Sequence, residues 1–536
     1  MSARVWPAVL SILALSATGA LAPASAQTAG PLSVIDWLDD PAPSVRLPRA
    51  PRVAAPRPKR KKIKEPAVAR TGSAPQITTR PLGAGPARNV GLAPPAITGM
   101  QPDLWAQSDP RDLAAQITAL PDLDLPAADA LLFMLLLAEA AAPTGGAAAQ
   151  DIITQARLQK LMTLGAVDPA LSLAEQAGAA TSPVLFDTWA KLALLVGTED
   201  DACGALSRAP HLTKETALRI FCAARGGDWA TAALTFNSAS ALALVPRDTL
   251  ALLDRFLNPD LFEGAAPLPV PRKMDPLSFR LFETIGEPLA TGPLPRSYAV
   301  ADLRDFAGWK SQLEAAERLT RAGALPDNRL IGLYTNRKPA ASGGIWDRVQ
   351  SVQRLDAALD SGTAEAVAKT LPAAWRQISR AGLEVSFANL FQDRLAAIPT
   401  TGRTAVIAAK MGLLSPEYET VARQMPSGLL GRDDVLLRAI AMGDVPSALA
   451  ATPPSEALRR AIFDAFLTPT PNTVWIEWAK NGRLGEALLT ALDALHEGAR
   501  GDSRALRSSL STLRALGLED TARRAALQLL LLERLR

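Results

Sequence analysis

Apolar side chains recur at helical spacing along most of this chain of 536 residues. From about residue 101 onward Ala and Leu dominate, and the apolar–polar alternation typical of strands is almost absent. The most apolar run, "ALLFMLLLA", has nine residues between Asp129 and Glu139 and is too short to cross a bilayer, so it predicts a buried helix. The pattern as a whole predicts an all-α fold for residues 101–536.

A recurring phrase divides this region: a helix ends, a glycine makes the turn, and an Ala-rich helix follows. Glycine adopts the left-handed conformation that ends a helix, and alanines let the next helix pack closely. The last four copies are 31, 39 and 35 residues apart, the length of one helical hairpin. The turn glycines are Gly165, Gly227, Gly362, Gly412, Gly443, Gly482 and Gly517. They predict degenerate helical-hairpin repeats forming a curved α-solenoid, in which each hairpin buries its apolar face on its neighbours.

Caps and prolines mark the ends of elements. Asp109 before Pro110 signals a helix start, and Thr213 before "KETALRIFCAA" is a predicted N-cap. A proline-rich break at residues 263–276 separates the predicted segments of the body. These are an N-terminal helical-repeat segment (101–262), a middle helical segment (277–400) and a C-terminal helical-repeat segment (401–536).

The first 26 residues have the pattern of a secretory signal peptide. Arg4 precedes the short apolar stretch "VLSILALSATGALA", and the small residues "ASA" come directly before Gln27. No cysteine lies near this site to carry a lipid. We therefore expect cleavage after Ala26 and export of a soluble protein to the periplasm.

Residues 41–100 differ in composition from the rest of the chain. They hold 12 prolines, no Phe, Trp or Tyr, and 12 Lys and Arg against one acidic residue, Glu65. Proline blocks helices and sheets, and a stretch without aromatic residues buries too little surface to offset the entropy of ordering. This predicts a disordered basic linker. The linker is either a solvated spacer or a segment that is attracted to anionic membrane surfaces or to peptidoglycan. Because it follows a signal peptide, we expect it to have no nucleic acid partner.

Between the signal and the linker, residues 27–40 include the apolar cluster "PLSVIDWLDD". Ser33 and Asp36 match a capping box, and about two turns of helix are too few to be stable alone in water. We therefore expect a docking motif that orders on a surface, either a partner's or that of the protein's own helical body. Its candidate contact residues are Leu32, Val34, Ile35, Trp37 and Leu38.

The chain has two cysteines, Cys203 and Cys222, separated by 19 positions. In an oxidising compartment such a pair stabilises a fold as a disulfide, and this spacing suits neighbouring antiparallel helices. The alternative is two free cysteines in the core. We predict the disulfide.

Catalytic chemistry has little support in the sequence. The two histidines, His211 and His496, are far apart, and no G-x-S-x-G elbow accompanies them. With the cysteines paired, no Cys/His cluster remains for zinc. The acidic pairs Glu314–Glu317 and Glu519–Asp520 fall on predicted helices beside arginines, which indicates a solvated, ion-paired surface. We expect no catalytic residue, no metal and no cofactor.

One loop, "YTNRKPAASGGIWDRV", combines cations, flexible backbone and an aromatic ring. It is a candidate binding loop for an anionic or sugar-like ligand, or for a peptide. The alternative is a hairpin turn in which the glycines break the helix and the tryptophan joins the core. The loop residues are Arg337, Lys338, Gly343, Gly344, Trp346, Asp347 and Arg348.

The hairpins resemble degenerate tetratricopeptide-type (TPR-like) repeats, and the Ala-rich body resembles the superhelical domain of soluble lytic transglycosylases. "RIFCAARGGDWATAALT", "GWKSQLEAAERLTRAGAL" and "GLEDTARRAALQLLLLERLR" resemble uncharacterised exported α-helical proteins of alphaproteobacteria, some labelled antifreeze glycopeptide polyprotein-like. These resemblances imply a helical fold and no particular activity. The chain lacks the Ala-Ala-Thr repeats of an antifreeze protein, and it has no Glu-Ser dipeptide of the kind a transglycosylase needs.

The function that these features favour is a periplasmic scaffold or adaptor that binds protein partners in the cell envelope without catalysis. A peptidoglycan-binding protein, or a regulator or enzyme of cell-wall turnover, is the alternative.

Overall fold

Helices are the regular elements of the part of the chain that the structure describes. The computed structural model describes residues 91–140, 143, 146–445, 449 and 453–532, which contain 24 α-helices and no β-strand. The only pairing of extended backbone in this part is a bridge between Ala93 and Ala138. The all-α prediction is therefore confirmed for the described residues.

Ten of the described helices precede the proline-rich break: α1 (Pro95–Thr98), α2 (Pro110–Ala119), α3 (Pro126–Leu137), α4 (Gly146–Leu164), α5 (Val167–Gln176), α6 (Pro183–Val196), α7 (Glu199–Arg208), α8 (Thr216–Arg225), α9 (Trp229–Ala241) and α10 (Arg247–Leu257). Six helices follow: α11 (Pro276–Thr284), α12 (Trp309–Arg321), α13 (Asp327–Asn336), α14 (Ile345–Ser361), α15 (Ala364–Ala381) and α16 (Glu384–Ala396).

The last eight of the described helices are α17 (Gly402–Leu414), α18 (Tyr418–Gln424), α19 (Asp434–Met442), α20 (Ala457–Leu467), α21 (Thr473–Lys480), α22 (Leu484–Ala499), α23 (Ser503–Ala515) and α24 (Glu519–Leu531). Short 3₁₀ turns lie at Ala179–Thr181, Pro210–Leu212, Pro259–Phe262, Arg296–Leu303 and Gly431–Asp433. Between Phe262 and Pro276 the backbone is not helical, and the division of the body at this point stays a prediction.

Of the two helix N-caps predicted from the sequence, one is confirmed. The side chain of Asp109 accepts hydrogen bonds from the backbone N–H groups of Arg111 and Asp112, and so caps α2 as predicted. Thr213 was the wrong choice for α8, because that helix begins three residues later, after Glu215. The Thr213 hydroxyl instead accepts from the backbone N–H of Glu215, and so forms the turn before the helix.

Six of the seven turn glycines have left-handed backbones, with φ between 65° and 86°. Gly412 is the exception, because it lies inside α17 and not after it. A Cβ atom at this position would come within 2.7 Å of the Val421 side chain on α18. The glycine there permits close packing of α17 on α18. In the sequence, a glycine needed for close packing looks the same as a glycine that makes a turn.

Consecutive helices pack against each other, but the described body also joins its two ends. Helix α3 packs on α22 and α24, and the backbone N–H of Ala127 donates to Gln528 Oε1 at 2.9 Å. This contact departs from the expectation that each hairpin covers only its neighbours. The reason lies in α3 itself, where Leu131, Leu132 and Leu135 are fully buried, since a helix that is apolar on all sides needs cover from several elements.

Two buried cations of α4 cap the C-terminal ends of the preceding helices α3 and α2. Arg157 donates to the carbonyl oxygens of Leu136 (2.6 Å) and Ala138 (3.1 Å) at the end of α3. Lys160 Nζ donates to the carbonyl of Leu120 at the end of α2. Carbonyls at helix C-termini lack partners within the helix and carry partial negative charge, so a cation stabilises them. Burial lowers the pKa of Arg157 to about 10.

Candidate functional site

The glycines of the candidate binding loop form the turn into α14. Gly343 and Gly344 have positive φ values, 93° and 55°, and both are exposed. The backbone N–H of Gly343 donates to Asp347 Oδ1 at 2.9 Å. Asp347 therefore stabilises the turn that precedes its own helix.

Arg348, the last cation of the loop, is mostly buried and forms an ion pair inside the protein. Its guanidinium pairs with the carboxylate of Glu317 on α12, and the Tyr334 hydroxyl donates to the same carboxylate. Burial lowers the pKa of Arg348, but the hydrogen bonds and charge of Glu317 outweigh it, so the net shift is upward. The expected solvated surface at Glu317 is therefore wrong, because this side chain is only 5% exposed.

The aromatic ring of the loop is also in use. Trp346 packs on Trp309 of α12 with ring centroids 5.2 Å apart, and Trp309 in turn donates from Nε1 to the carbonyl of Leu333. The side chains of Arg337 and Lys338 stay exposed, with no ion pair to a described residue. The structure thus has the features of the hairpin turn, and Arg337 and Lys338 are the cations of the loop that are exposed to solvent.

The remaining predicted residues lie on separate elements. His211 is exposed in the turn Pro210–Leu212, and His496 is half-buried in the last turn of α22. The described residues contain no group of three or more His, Cys, Asp or Glu side chains suited to hold a metal ion. The docking motif (Leu32, Val34, Ile35, Trp37 and Leu38), the signal peptide and most of the basic linker lie outside the described residues.

Cys203 on α7 and Cys222 on α8 are joined as a disulfide, with Sγ atoms 2.02 Å apart and Cα atoms 4.8 Å apart. Both are buried, and their helices pack against each other. The bond joins α7 to α8, and α8 forms a helical hairpin with α9, against which it packs.

Helix α9 follows from local chemistry. Gly227 turns the chain after α8 with φ of 81°, and the side chain of Asp228 accepts from the backbone N–H of Thr231 at 3.0 Å, which caps α9. This hydrogen bonding lowers the pKa of Asp228. The helix packs on α8 and α10 through few side chains, because only Ala232 and Ala239 of its 13 residues are buried.

The opposite side of α9 is exposed and uncharged. We name this surface the α9 face; it comprises Trp229, Ala230, Ala233, Leu234, Asn237 and Ala241, with Leu242 and Leu244 of the following turn. Trp229 is 52% exposed, and Leu234 is 69% exposed. Leu242 and Leu244 are 69% and 58% exposed. Large apolar side chains grouped on a surface mark interaction sites.

Sequence reasoning missed this surface, although a signal for it exists. Residues 229–246 contain no Asp, Glu, Lys or Arg, in a chain of which 21% is charged. Such a gap is compatible with burial as well as with an interface, so only the structure shows that α9 is exposed.

None of the described helices is long and apolar enough to cross a membrane.

No protein-family model matches the chain, and comparisons with curated proteins and with solved structures likewise find no match. The resemblances noted in the sequence therefore stay predictions, and the function is argued from the surfaces of the molecule.

Proposed function

We propose that the protein is an exported, non-catalytic adaptor of the cell envelope that docks a protein partner on the α9 face. The observation that carries this proposal is the exposure of Trp229, Leu234, Leu242 and Leu244 on a surface without charge. Interfaces between proteins are depleted of charge at their centres and enriched in aromatic residues. Burying this surface against a partner removes apolar area from water, which is favourable.

The α9 face also restricts the chemistry of its occupant. Residues 229–246 offer no ion to neutralise a buried charge, and an unpaired buried charge is costly. The partner must therefore present an uncharged apolar surface. Small side chains such as Ala230 and Ala233 lie beside Leu234, so a helix of the partner could approach the α9 backbone closely and be held by the larger residues.

Two features support the envelope as the setting. The N-terminal sequence has the pattern of a signal peptide, and the disulfide between Cys203 and Cys222 suits an oxidising compartment. In this proposal the helical repeats form a scaffold that carries the α9 face, and the basic linker of residues 41–100 associates with anionic envelope components. Neither histidine serves as a catalytic residue.

A charge placed in the α9 face tests the proposal. A photo-crosslinking residue at position 234 of the full chain identifies the partner, and titration calorimetry with that purified partner then compares variants. We expect Leu234→Asp to weaken binding by tenfold or more. Val474→Asp is the matched control, because Val474 is also an exposed apolar residue on a helix, at 54%. It should bind as the wild type does.

Three results would contradict the proposal. The first is wild-type affinity in Leu234→Asp with an unchanged melting temperature. The second is a concentration-dependent homodimer, seen by sedimentation velocity, that Leu234→Asp abolishes, since a second copy would then be the occupant. Release of soluble fragments from purified peptidoglycan by the protein would contradict the non-catalytic assignment.

A further inference from the structure

A second surface, far from neutral, lies between α15 and α17. These helices pack against each other and border a cleft of about 620 Å³. Arg376 and Arg380 of α15 line one side, and Arg403 and Lys410 of α17 line the other. We name this site the basic cleft; its lining residues include no Asp or Glu.

The four cations of the basic cleft have no acidic partner among the described residues. Elsewhere in the body arginines pair with carboxylates, as Arg394 does with Asp356 and Arg459 with Asp433. Four like charges around one cleft repel each other, and an anion between them relieves that repulsion. The cleft therefore presents a positive field that the fold leaves uncompensated.

The spacing of the cations shows what kind of anion fits. Arg376 and Arg380 are four residues apart on α15, a rise of about 6 Å, and Arg403 and Lys410 are seven apart on α17, a rise of about 10 Å. Four cations spread over this length are better matched by several anionic groups than by a single phosphate or carboxylate. A ligand that satisfies them carries at least two anionic groups along its length.

Apolar side chains line the same cleft between the charges. Trp375 and Pro372 of α15 and Val406 of α17 contribute to its walls. Trp375 packs on Phe387 of α16 with ring centroids 6.3 Å apart, which restrains the indole. A ligand for this site combines anionic groups with an apolar face, as a pyranose ring does through its C–H groups.

We propose that the basic cleft binds an anionic oligosaccharide or sugar phosphate. The planar guanidinium groups of Arg376, Arg380 and Arg403 match the geometry of carboxylate and phosphate oxygens. The indole of Trp375 receives the apolar face of a sugar ring. A short ligand is favoured over a nucleic acid strand, because most of the basic excess lies in residues 41–100 and the rest of the chain is net negative. A long polyanion would extend beyond the cleft along a chain whose net charge outside residues 41–100 is negative.

Titration calorimetry on the full chain tests the site with defined probes. Tetragalacturonate supplies carboxylates on sugar rings, glucose 1,6-bisphosphate supplies phosphates, and maltotetraose is the neutral control. We expect at least one of the two anionic probes to bind tenfold or more tightly than maltotetraose, with affinity that falls as salt is raised. Tripolyphosphate, which has charge without a ring, should bind more weakly than that probe.

Variants link the binding to the cleft. Arg376→Gln combined with Arg403→Gln should lower the affinity tenfold or more. Because the mutated side chains are exposed and unpaired, and their removal relieves repulsion between like charges, the melting temperature should not fall. Arg337→Gln combined with Lys338→Gln removes the same charge from the exposed loop and should leave binding unchanged. Trp375→Leu should lower the affinity for the anionic sugar probe and leave the affinity for tripolyphosphate unchanged.

Three outcomes would overturn the proposal. One is equal binding of the anionic probes and maltotetraose, and another is wild-type affinity in the Arg376/Arg403 variant. The third is tighter binding of a short oligothymidylate than of either sugar probe, with that binding lost in the Arg376/Arg403 variant, which would assign the cleft to nucleic acid. None of these results bears on the α9 face, so the proposed adaptor function stands or falls separately.

Discussion

The guanidinium of Arg348 on α14 donates two hydrogen bonds to the carboxylate of Glu317 on α12, Nε to Oε1 and Nη2 to Oε2, both at 2.7 Å. The Tyr334 hydroxyl on α13 donates to the same Oε1 atom at 2.6 Å. The two charged side chains are 15% and 5% exposed. An arginine from the candidate binding loop therefore holds three consecutive helices together.

Removing this arginine should destabilise the fold. Arg348→Ala leaves the carboxylate of Glu317 buried without its counter-ion, which costs about 3–5 kcal/mol. Urea denaturation measures the change in the free energy of unfolding. The matched control is Lys369→Ala, which breaks the ion pair between Lys369 and Glu365 in open solvent, where we expect no measurable loss. Equal stabilities of the two variants would contradict the structural role of Arg348.

The contact between the ends of the body depends on a glycine. A Cβ atom at Gly485 on α22 would lie 1.8 Å from Cζ3 of Trp105, and the Gly485 N–H donates to the carbonyl of Leu104 at 3.0 Å. Gly485→Ala should therefore force the two segments apart and lower stability by about 2 kcal/mol, the range for overpacking of a core.

A glycine inside a helix with open space around it supplies the control. Gly332 on α13 has no atom within 4 Å of the added Cβ. Gly332→Ala should raise stability by about 0.5–1 kcal/mol, because alanine loses less backbone entropy in a helix. Thermal melts of both variants should shift in opposite directions. A shift of the same sign in both would show that Trp105 does not pack on α22.

High pH should destabilise the fold through tyrosine. The chain has three tyrosines, and burial raises the pKa of each above the ordinary value of 10. An acidic neighbour raises each pKa further: Asp275 for Tyr298, Glu317 for Tyr334, and Asp520 for Tyr418. Since the folded pKa exceeds the unfolded one, the contribution to stability is complete below pH 10. Above it, stability falls by about 1.4 kcal/mol per pH unit for each tyrosine, until the folded pKa is reached.

Phenolate absorbance during an alkaline titration measures this effect. The native protein should show no tyrosine ionisation near pH 10, while the same titration in concentrated guanidinium chloride should show all three. Ionisation of a tyrosine near pH 10 in the native protein would mean that its ring is not buried.

Reduction of the disulfide should loosen the hairpin that carries α9. Breaking the bond between Cys203 and Cys222 frees a loop of 19 residues in the unfolded chain, which costs about 3 kcal/mol. A reducing agent should lower the melting temperature of the wild type to that of the double variant Cys203→Ser/Cys222→Ser. The double variant should not respond to the reducing agent. A wild type that melts at the same temperature with and without reductant would contradict the prediction.

Local features of the fold could be predicted well from the sequence. The buried helix α3, the cap at Asp109 and six of the seven turn glycines depend on residues within a few positions of each other. Gly412 misled the prediction, because glycine serves close packing as well as turns. The repeat and solenoid organisation stays a prediction.

The candidate site could not be predicted in the same way. The partner of Arg348 is Glu317, 31 positions earlier, and nothing in the loop itself indicates that pairing. The cations of the basic cleft come from two helices. In the sequence of either helix alone, its cations look like part of an ordinary solvated face. Their grouping depends on how α15 packs on α17.

By itself, the sequence determined the helical class of this protein, six of its turns at glycine, and the absence of charge from residues 229–246, because each of these depends on local composition and spacing. The tertiary structure decided which of those residues are free to bind. It buried the apolar side chains of α3 between distant helices and left those of α9 exposed, although both stretches are apolar. It also placed Arg348 inside an ion pair and left Arg376 and Arg403 unpaired. The physical reason is that exposure and charge pairing depend on neighbours brought together by folding, and some of these neighbours lie hundreds of residues away in the chain, as Gln528 does from Ala127.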